Sequence, residues 1–252
     1  MNIAVCICHV PDTASVIGYV DGAIDYSRVH MVMNPYDEYA LEEAVLYKER
    51  IAGSIVTVFS IVPDSAKEVL RKALAMGADR AVRVSSSEGD INLLDPFQTA
   101  LVLSRAISSF YASVLPDLVF CGKQSTDFQS ALVPSMLAEM LGIASISGIT
   151  SLHQSGDILK VEREIEGGVE YIDVSFPALL STEKGLNQPR NTSIRAVMEA
   201  RKKSIDVLSV SLHEELFVVM TGTKPIERKK ICCLVQDENE LVMTLSQERN
   251  LF

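Results

Sequence analysis

Strand and helix signals alternate along residues 3–141, and this alternation constrains the fold more than any other feature of the sequence. Apolar, β-branched runs are typical of buried strands, and they lie at residues 3–8, 55–62, 81–84 and 118–121. Segments with helical apolar spacing follow them, at residues 34–53, 65–76, 95–111 and 130–141. This order predicts an α/β fold in which a parallel, doubly wound sheet carries helices on both faces.

A glycine turn separates the strand at residues 118–121 from the helix that follows it. The turn reads Gly122-Lys123-Gln124-Ser125-Thr126-Asp127. Such a turn places backbone N–H groups and a helix N-terminus at the carboxyl edge of a sheet, which suits a phosphate or another anion. The chain has neither a G-x-G-x-x-G fingerprint nor a P-loop, so an ordinary βα turn remains an alternative interpretation.

Three other segments are expected to meet at the same edge, because ligands in these folds lie beyond the carboxyl ends of the strands. Two of them follow the first and second strands, at residues 6–13 and 61–63. The third is the helix start Asn34-Pro35-Tyr36-Asp37-Glu38, with Asn at the cap, Pro at the first position and acids in the first turn. Its positive dipole end would add to the anion site.

The pattern changes after Gly142. Alternating apolar residues at 147–152, 158–165 and 169–174 predict an antiparallel hairpin region. Earlier in the chain, the Asp21-Gly22 pair predicts the turn of a separate, smaller hairpin. Residues 173–182 are expected to return to the main sheet.

The chain ends in two segments of different character. Residues 182–203, here called the docking segment, are polar and then form a short basic helix. Residues 204–252 have weak strand signals and many charges, so they form either an extended arm on another chain or a poorly ordered tail. We therefore divide the chain into an α/β domain at 1–203, with the hairpin region inserted, and a C-terminal arm at 204–252.

Charge restricts the classes of partner. The net charge of −10 disfavours bulk nucleic-acid binding. Basic residues nevertheless gather at 184–203 and at 228–230. On an acidic chain such a cluster is either a docking surface for an acidic protein or a solvated helix face.

Membrane, metal and thiol chemistry have little support in the sequence. No apolar run approaches the ~20 residues of a membrane span, and residues 1–8 lack the features of a signal peptide, so we expect a cytoplasmic protein without membrane insertion. The five cysteines form no C-x-x-C pair and the four histidines are scattered, which predicts no metal site. Cys121 borders the glycine turn without a histidine nearby in sequence, so no catalytic residue is predicted.

Seven motifs in order resemble the beta (small) subunit of electron-transfer flavoprotein, over about residues 1–203. They are Val10-Pro11-Asp12-Thr13, residues 34–44 from Asn34-Pro35-Tyr36-Asp37-Glu38, Ala73-Leu74-Ala75-Met76-Gly77-Ala78-Asp79-Arg80, Pro116-Asp117-Leu118-Val119, Gly122-Lys123-Gln124, residues 161–168, and Leu186-Asn187-Gln188-Pro189-Arg190. The resemblance implies an adenine-nucleotide-binding (alpha-hydrolase-like) type of sheet.

The resemblance also implies a heterodimer whose alpha subunit holds most of the FAD. The beta chain would be an electron-carrier subunit rather than an enzyme. Electrons would arrive from acyl-CoA dehydrogenase-type flavoenzymes and leave to a quinone reductase. The beta chain would bind an adenine nucleotide, AMP in many members, support the flavin domain and dock partners.

Site residues carried over from the family fall into three groups. The adenine-nucleotide contacts would be Cys6, Asn34, Pro35, Tyr36, Asp37, Ile61, Gly122, Lys123, Gln124, Ser125, Thr126, Asp127, Gln129, Ser130, Ala131, Leu132 and Val133. The turn at Asp12 and Thr13 would approach the alpha-subunit flavin. Partner docking would use Glu164, which matches a glutamate that pairs with a flavin-domain arginine, and Ile194 as an apolar anchor among Arg190, Arg195 and Arg201.

The sequence departs from the family where a phosphate would bind. Many members have Gln-Val-Gly or Gln-Thr-Gly at the helix start, and this chain has Leu132-Val133-Pro134. The side-chain donors are gone, although Ser130 and free N–H groups remain.

Three alternatives follow for the nucleotide site. It holds AMP, it is empty or altered, or it holds a second FAD with an NADH site, as in electron-bifurcating relatives. The aspartate-arginine stretch of those relatives is not evident at residues 85–95. A free-standing adenine-nucleotide-binding module is a further alternative, opposed by the hairpins and the docking segment.

Overall fold

The computed structural model describes residues 1–20, 23–86, 94–112, 114–225, 232 and 234–248. The predicted Asp21-Gly22 turn and the basic residues 228–230 lie outside the described residues, as does most of the stretch at 85–95. The strands are β1 (Asn2–Cys6), β2 (His9–Pro11), β3 (Gly18–Val20), β4 (Ala23–Asp25), β5 (Met31–Met33), β6 (Ile55–Ile61), β7 (Arg80–Ser86), β8 (Leu118–Gly122), β9 (Ala144–Ser155), β10 (Ile158–Ile165), β11 (Gly168–Ser175), β12 (Ala178–Thr182) and β13 (Asp206–Val210). The α-helices are α1 (Pro35–Arg50), α2 (Glu68–Met76), α3 (Pro96–Phe110), α4 (Val133–Leu141), α5 (Ile194–Lys202) and α6 (Glu238–Met243).

Nine strands form one sheet in the order β11-β10-β9-β12-β8-β1-β6-β7-β13. Every neighbouring pair from β9 to β13 is parallel, and β9, β10 and β11 pair antiparallel. The predicted α/β class, the antiparallel hairpins and the return of the chain to the sheet through β12 are confirmed.

Helices cover both faces of the sheet, and the central strand β1 shows why. Ile3 and Val5 point into a core with α1 and α2, whereas Ala4 and Cys6 point into a second core with α3 and α4. All four side chains are buried, as the apolar run predicts.

The start of α4 differs from the prediction. The apolar spacing predicts a helix from residue 130, but α4 begins at Val133. Gln129 and Ala131 have φ angles of 54° and 55°, which lie in the left-handed region and cannot continue a right-handed helix. The loop before α4 is therefore longer than predicted.

The main sheet extends into the segment assigned to the C-terminal arm. Strand β13 pairs in parallel with β7, and the carboxylate of Asp95 then accepts hydrogen bonds from the backbone N–H groups of Phe217 and Val218. Side chains 217–220 are exposed and apolar, and α6 buries none of its residues. The packing of this arm on an alpha subunit stays a prediction.

Candidate functional site

The buried carboxylate of Asp37 joins three of the four segments that the sequence predicts to meet, namely the ends of β1 and β8 and the start of α1. Its Oδ2 accepts a hydrogen bond of 2.7 Å from the backbone N–H of Cys8, just beyond β1, and one of 3.1 Å from the Cys8 thiol. Its Oδ1 accepts a bond of 3.0 Å from the N–H of Gly122, which ends β8. Asp37 lies in the first turn of α1, so one side chain fixes two strand ends to a helix start.

Glycine is required at position 122 because α1 approaches the backbone closely. A Cβ atom there would lie 2.3 Å from Oδ1 of Asp37 and 2.8 Å from the carbonyl carbon of Tyr36. Both distances are shorter than real Cβ contacts, and the second involves backbone that cannot turn away. The glycine of the turn is thus explained by packing against α1.

Further hydrogen bonds bring β12 and the loop into the same assembly. Asn34 donates from Nδ2 to the carbonyl of Gln124 at 2.9 Å. Asn34 is the N-cap residue of α1, as predicted, but its side chain makes no cap hydrogen bond. Thr182 at the end of β12 donates to the carbonyl of Tyr36 at 3.0 Å. The ammonium of Lys123 forms an ion pair with Glu183, which raises the pKa of Lys123.

The predicted nucleotide contacts differ in exposure. The buried ones are Cys6, Asn34, Asp37 and Gly122. Those of intermediate exposure are Tyr36, Ile61, Lys123, Gln124, Ser125, Thr126 and Val133. The exposed ones are Pro35, Asp127, Gln129, Ser130, Ala131 and Leu132. The buried group builds the edge of the sheet, whereas the exposed group lies on the β8–α4 loop and α1, open to solvent.

Two oxygens at this edge lack hydrogen-bond partners within the described residues. They are Oδ1 of Asn34 and Oγ1 of Thr126, and both are buried. Buried polar atoms are nearly always satisfied in folded proteins, so a ligand or a water molecule is expected to complete them. At the α4 start no side chain caps the helix, and Pro134 supplies no N–H.

The thiols of Cys8 and Cys121 at this edge are not activated. Cys6 and Cys121 are neighbours in register on β1 and β8, and their hydrogen bond together with burial raises the pKa of Cys121. Burial and the adjacent Asp37 raise the pKa of Cys8. Protonated thiols are poor nucleophiles, which disfavours a catalytic role for Cys121. Within the described part of the chain, no group of three or more His, Cys, Asp or Glu side chains gathers as metal ligands.

We expect the Asp37 carboxylate to make stability depend on pH. Burial raises its pKa from 3.8 to about 6, against the opposing hydrogen bonds from Cys8, Asn34 and Gly122. Because the folded pKa exceeds the unfolded one, this contribution is full below about pH 4 and is lost as pH rises through about 6. Relative to Asp37→Asn, wild type should lose about 3 kcal/mol of unfolding free energy between about pH 3 and about pH 7. Urea unfolding of both proteins across that range measures the difference, and a constant difference would contradict the assignment.

The residues predicted near the flavin lie beyond β1. Asp12 accepts a hydrogen bond of 2.9 Å from the N–H of Ala14, which forms a tight turn, and Thr13 is exposed at its tip. Glu164 is on β10 and lines an open cavity of about 410 Å³ together with Lys123 and Glu183. Approach to a flavin or to an arginine of another chain stays a prediction for these residues.

The docking segment presents its predicted anchor to solvent. On α5 the side chain of Ile194 is 86% exposed, and Arg195 lies beside it. Met198, one turn further along α5, is also exposed and extends the apolar surface. The i, i+4 spacing of Ile194 and Met198 was a sequence signal that we missed. Arg190 does not lie free on this surface, since its guanidinium is paired with Glu42 and Glu49.

Arg71 on α2 holds the end of α5 and had no sequence signal. Its Nη1 donates to the carbonyl oxygen of Ala200 at 2.7 Å and also to that of Lys203. At the other end, Oγ of Ser193 accepts a hydrogen bond of 3.1 Å from the N–H of Ala196. Both ends of α5 are therefore capped.

Comparison with protein families and curated proteins agrees with this arrangement. Residues 21–213 match the model of the electron transfer flavoprotein domain. An electron transfer flavoprotein subunit beta from Thermoanaerobacterium thermosaccharolyticum is 40% identical over 211 residues, which are 83% of this chain and 78% of the relative. The subunit of the same name from Megasphaera elsdenii is 33% identical over 254 residues, covering 98% of this chain and 93% of the relative.

No helix within the described residues is long and apolar enough to cross a membrane.

A third relative, from Bacillus subtilis and again called subunit beta, is 35% identical over 210 residues, with 83% of this chain and 79% of the relative covered. Each of these three relatives is at least 33% identical to this chain, and the match covers 78% or more of the relative's length. The chain therefore belongs to the family of electron transfer flavoprotein beta subunits.

Proposed function

We propose that this chain is the beta subunit of a heterodimeric, FAD-containing electron carrier in which it holds an adenine nucleotide and docks a dehydrogenase. Membership of the family implies an electron-transport flavoprotein with an alpha partner. The convergence of β1, β8 and α1 at Asp37 carries the nucleotide part of the proposal. The fold is then of the adenine-nucleotide-binding, alpha-hydrolase-like type.

The exposed anchor on α5 supports the docking part. The exposed apolar side chain of Ile194 would give affinity, and the exposed charges of Arg195 and Arg201 on the same helix would steer and orient an acidic partner. We propose acyl-CoA dehydrogenase-type flavoenzymes as electron donors and a quinone reductase as acceptor. On this proposal the chain catalyses no reaction by itself and acts in the cytoplasm.

AMP is the nucleotide that we assign to the sheet edge. The unsatisfied Oδ1 of Asn34 and Oγ1 of Thr126 fit a site that a ligand with polar hydrogens completes. The backbone N–H groups at the start of α4 would hold the phosphate. The redox-active FAD would be held mostly by the alpha subunit, near Asp12 and Thr13.

Native mass spectrometry of the heterodimer purified with its alpha subunit tests the proposal. We expect one FAD and one AMP for each heterodimer, with the nucleotides identified by chromatography after acid release. One FAD without AMP would contradict the nucleotide assignment. Two FAD would indicate an electron-bifurcating relative, and a chain that binds AMP without forming a heterodimer would indicate a free-standing nucleotide module.

We expect the double substitution Leu132→Gln with Val133→Thr to increase AMP affinity by about tenfold, because two side-chain donors would then reach a charged phosphate. Leu132 is 46% exposed, so a polar side chain of similar size is tolerated there. Calorimetric titration of the nucleotide-depleted heterodimer with AMP measures the change. The control Leu132→Met keeps the size without adding a donor and should leave the affinity as it is. Equal affinities of all three proteins would place the phosphate elsewhere.

A further inference from the structure

The guanidinium of Arg190 is held between two carboxylates of α1. Its Nε donates to Oε2 of Glu42 at 2.9 Å, and its Nη1 donates to Oε1 of Glu49 at 2.7 Å. Its Nη2 donates to both, at 3.0 Å and 3.2 Å. The backbone N–H of Arg190 donates to Glu42 as well, at 3.1 Å. Bidentate pairs of this kind fix geometry as well as charge.

A second contact fixes the same part of the docking segment. Nδ2 of Asn187 donates to the carbonyl of Tyr39 at 3.0 Å and to Oε2 of Glu43 at 3.1 Å. Glu42 and Glu43 are each only 4% exposed. A carboxylate buried to this extent is stable only when it is paired, so α1 and the docking segment depend on each other here.

The position of Arg190 in the chain makes this contact relevant to α5. Three residues separate Arg190 from Ile194, which is the first residue of α5. Arg71 fixes the other end of the helix, as described above. A docking helix that is already ordered loses less conformational entropy on binding, and its affinity is higher for that reason.

Arg195 has the opposite environment. Its side chain is 90% exposed and pairs with Glu199 one turn along the same helix. Its charge therefore faces solvent, where it can act on an approaching partner, whereas the charge of Arg190 is neutralised by two carboxylates of its own chain. The two arginines are expected to respond differently to the same substitution.

We propose that Arg190 is a positioning residue for partner docking, which fixes the docking segment to α1 and does not itself contact the redox partner. This inference rests on the proposed docking function, because it states how the docking surface is held in place. It changes the sequence-based expectation that Arg190 belongs to the ring of charges around the anchor.

Two measurements on the heterodimer test the assignment, with Arg190→Gln compared with Arg195→Gln. In the first, hydrogen exchange of the backbone amides of residues 186–193 should become about tenfold faster in Arg190→Gln and stay unchanged in Arg195→Gln.

The second measurement is kinetic and follows reduction of the heterodimer by a short-chain acyl-CoA dehydrogenase. Arg190→Gln should raise the KM for the heterodimer by about tenfold without changing the limiting rate. The dependence of kcat/KM on ionic strength should weaken for Arg195→Gln and stay unchanged for Arg190→Gln.

The outcomes separate the inference from the function on which it rests. Unchanged exchange together with a weaker salt dependence for Arg190→Gln would mean that Arg190 contacts the partner, and would overturn the assignment. If Arg190→Gln prevents assembly, Glu49→Gln replaces it, because the buried pair with Glu42 remains and a smaller change of the same kind is expected. A wild-type heterodimer that the dehydrogenase does not reduce contradicts the proposed function, while the exchange result still decides whether Arg190 fixes the segment.

Discussion

Gly122→Ala is expected to lower the unfolding free energy of the chain by about 4 kcal/mol, which corresponds to a fall in Tm of about 10 °C. The added methyl group would occupy space 2.3 Å from Oδ1 of Asp37. Relief of that clash moves the start of α1 away from β8, so the N–H of Gly122 loses its hydrogen bond inside the protein. Overpacking and a buried unsatisfied donor then act together.

Gly168→Ala provides the matched control for this substitution. No atom lies within 4 Å of a Cβ built at Gly168, and its φ angle is one that any residue adopts. Thermal unfolding of the two heterodimers should show a change of less than about 0.5 kcal/mol for the control. Similar melting temperatures for the two variants would show that α1 tolerates displacement at β8, against the close contact described here.

Ile194→Asp is expected to slow electron transfer from an acyl-CoA dehydrogenase by at least about tenfold while the heterodimer stays intact. Its side chain is largely exposed in the chain and would become buried only against a partner, so a carboxylate there would be desolvated at the centre of the interface. Stopped-flow reduction of the heterodimer at fixed ionic strength measures the rate, and size-exclusion chromatography checks assembly.

Val114→Asp is the control for the introduction of a charge. Val114 is also an exposed aliphatic residue, and it lies in the loop between α3 and β8 rather than on α5. Its variant should transfer electrons at the wild-type rate. Unchanged rates for Ile194→Asp would exclude α5 as the docking surface, and equal losses in both variants would indicate a general effect of the added charge.

The central part of the fold was predictable because its signals are local. The apolar runs of β1, β6 and β8 are buried on both faces, and a short continuous apolar run is typical of a strand inside a parallel sheet. Pro35 marks the start of α1 because its ring fixes φ and its missing N–H costs nothing there. Strand β13 was harder to predict, because an edge strand is buried on few of its residues.

The details of the site depended on distant contacts and could not be predicted. Asp37 has the sequence signal of a first-turn acid, yet its hydrogen bond to Gly122 joins residues 85 positions apart. Arg190 and Glu42 are 148 positions apart in the sequence. Their ion pair could not be predicted, and it removes Arg190 from the free surface charges expected around Ile194. The left-handed conformations of Gln129 and Ala131 have no glycine to indicate them.

Helix α1 sets a fixed distance between the carboxyl edge of the sheet, where Asp37 lies, and the docking segment. Asp37 near its start and Glu49 near its end are twelve residues apart, which an α-helix spans in about 18 Å. One inserted residue between them would turn Glu49 by about 100° away from Arg190 while leaving Asp37 in place. Substitutions on the exposed face of α1 can therefore accumulate during evolution, whereas insertions and deletions within it would separate the two sites.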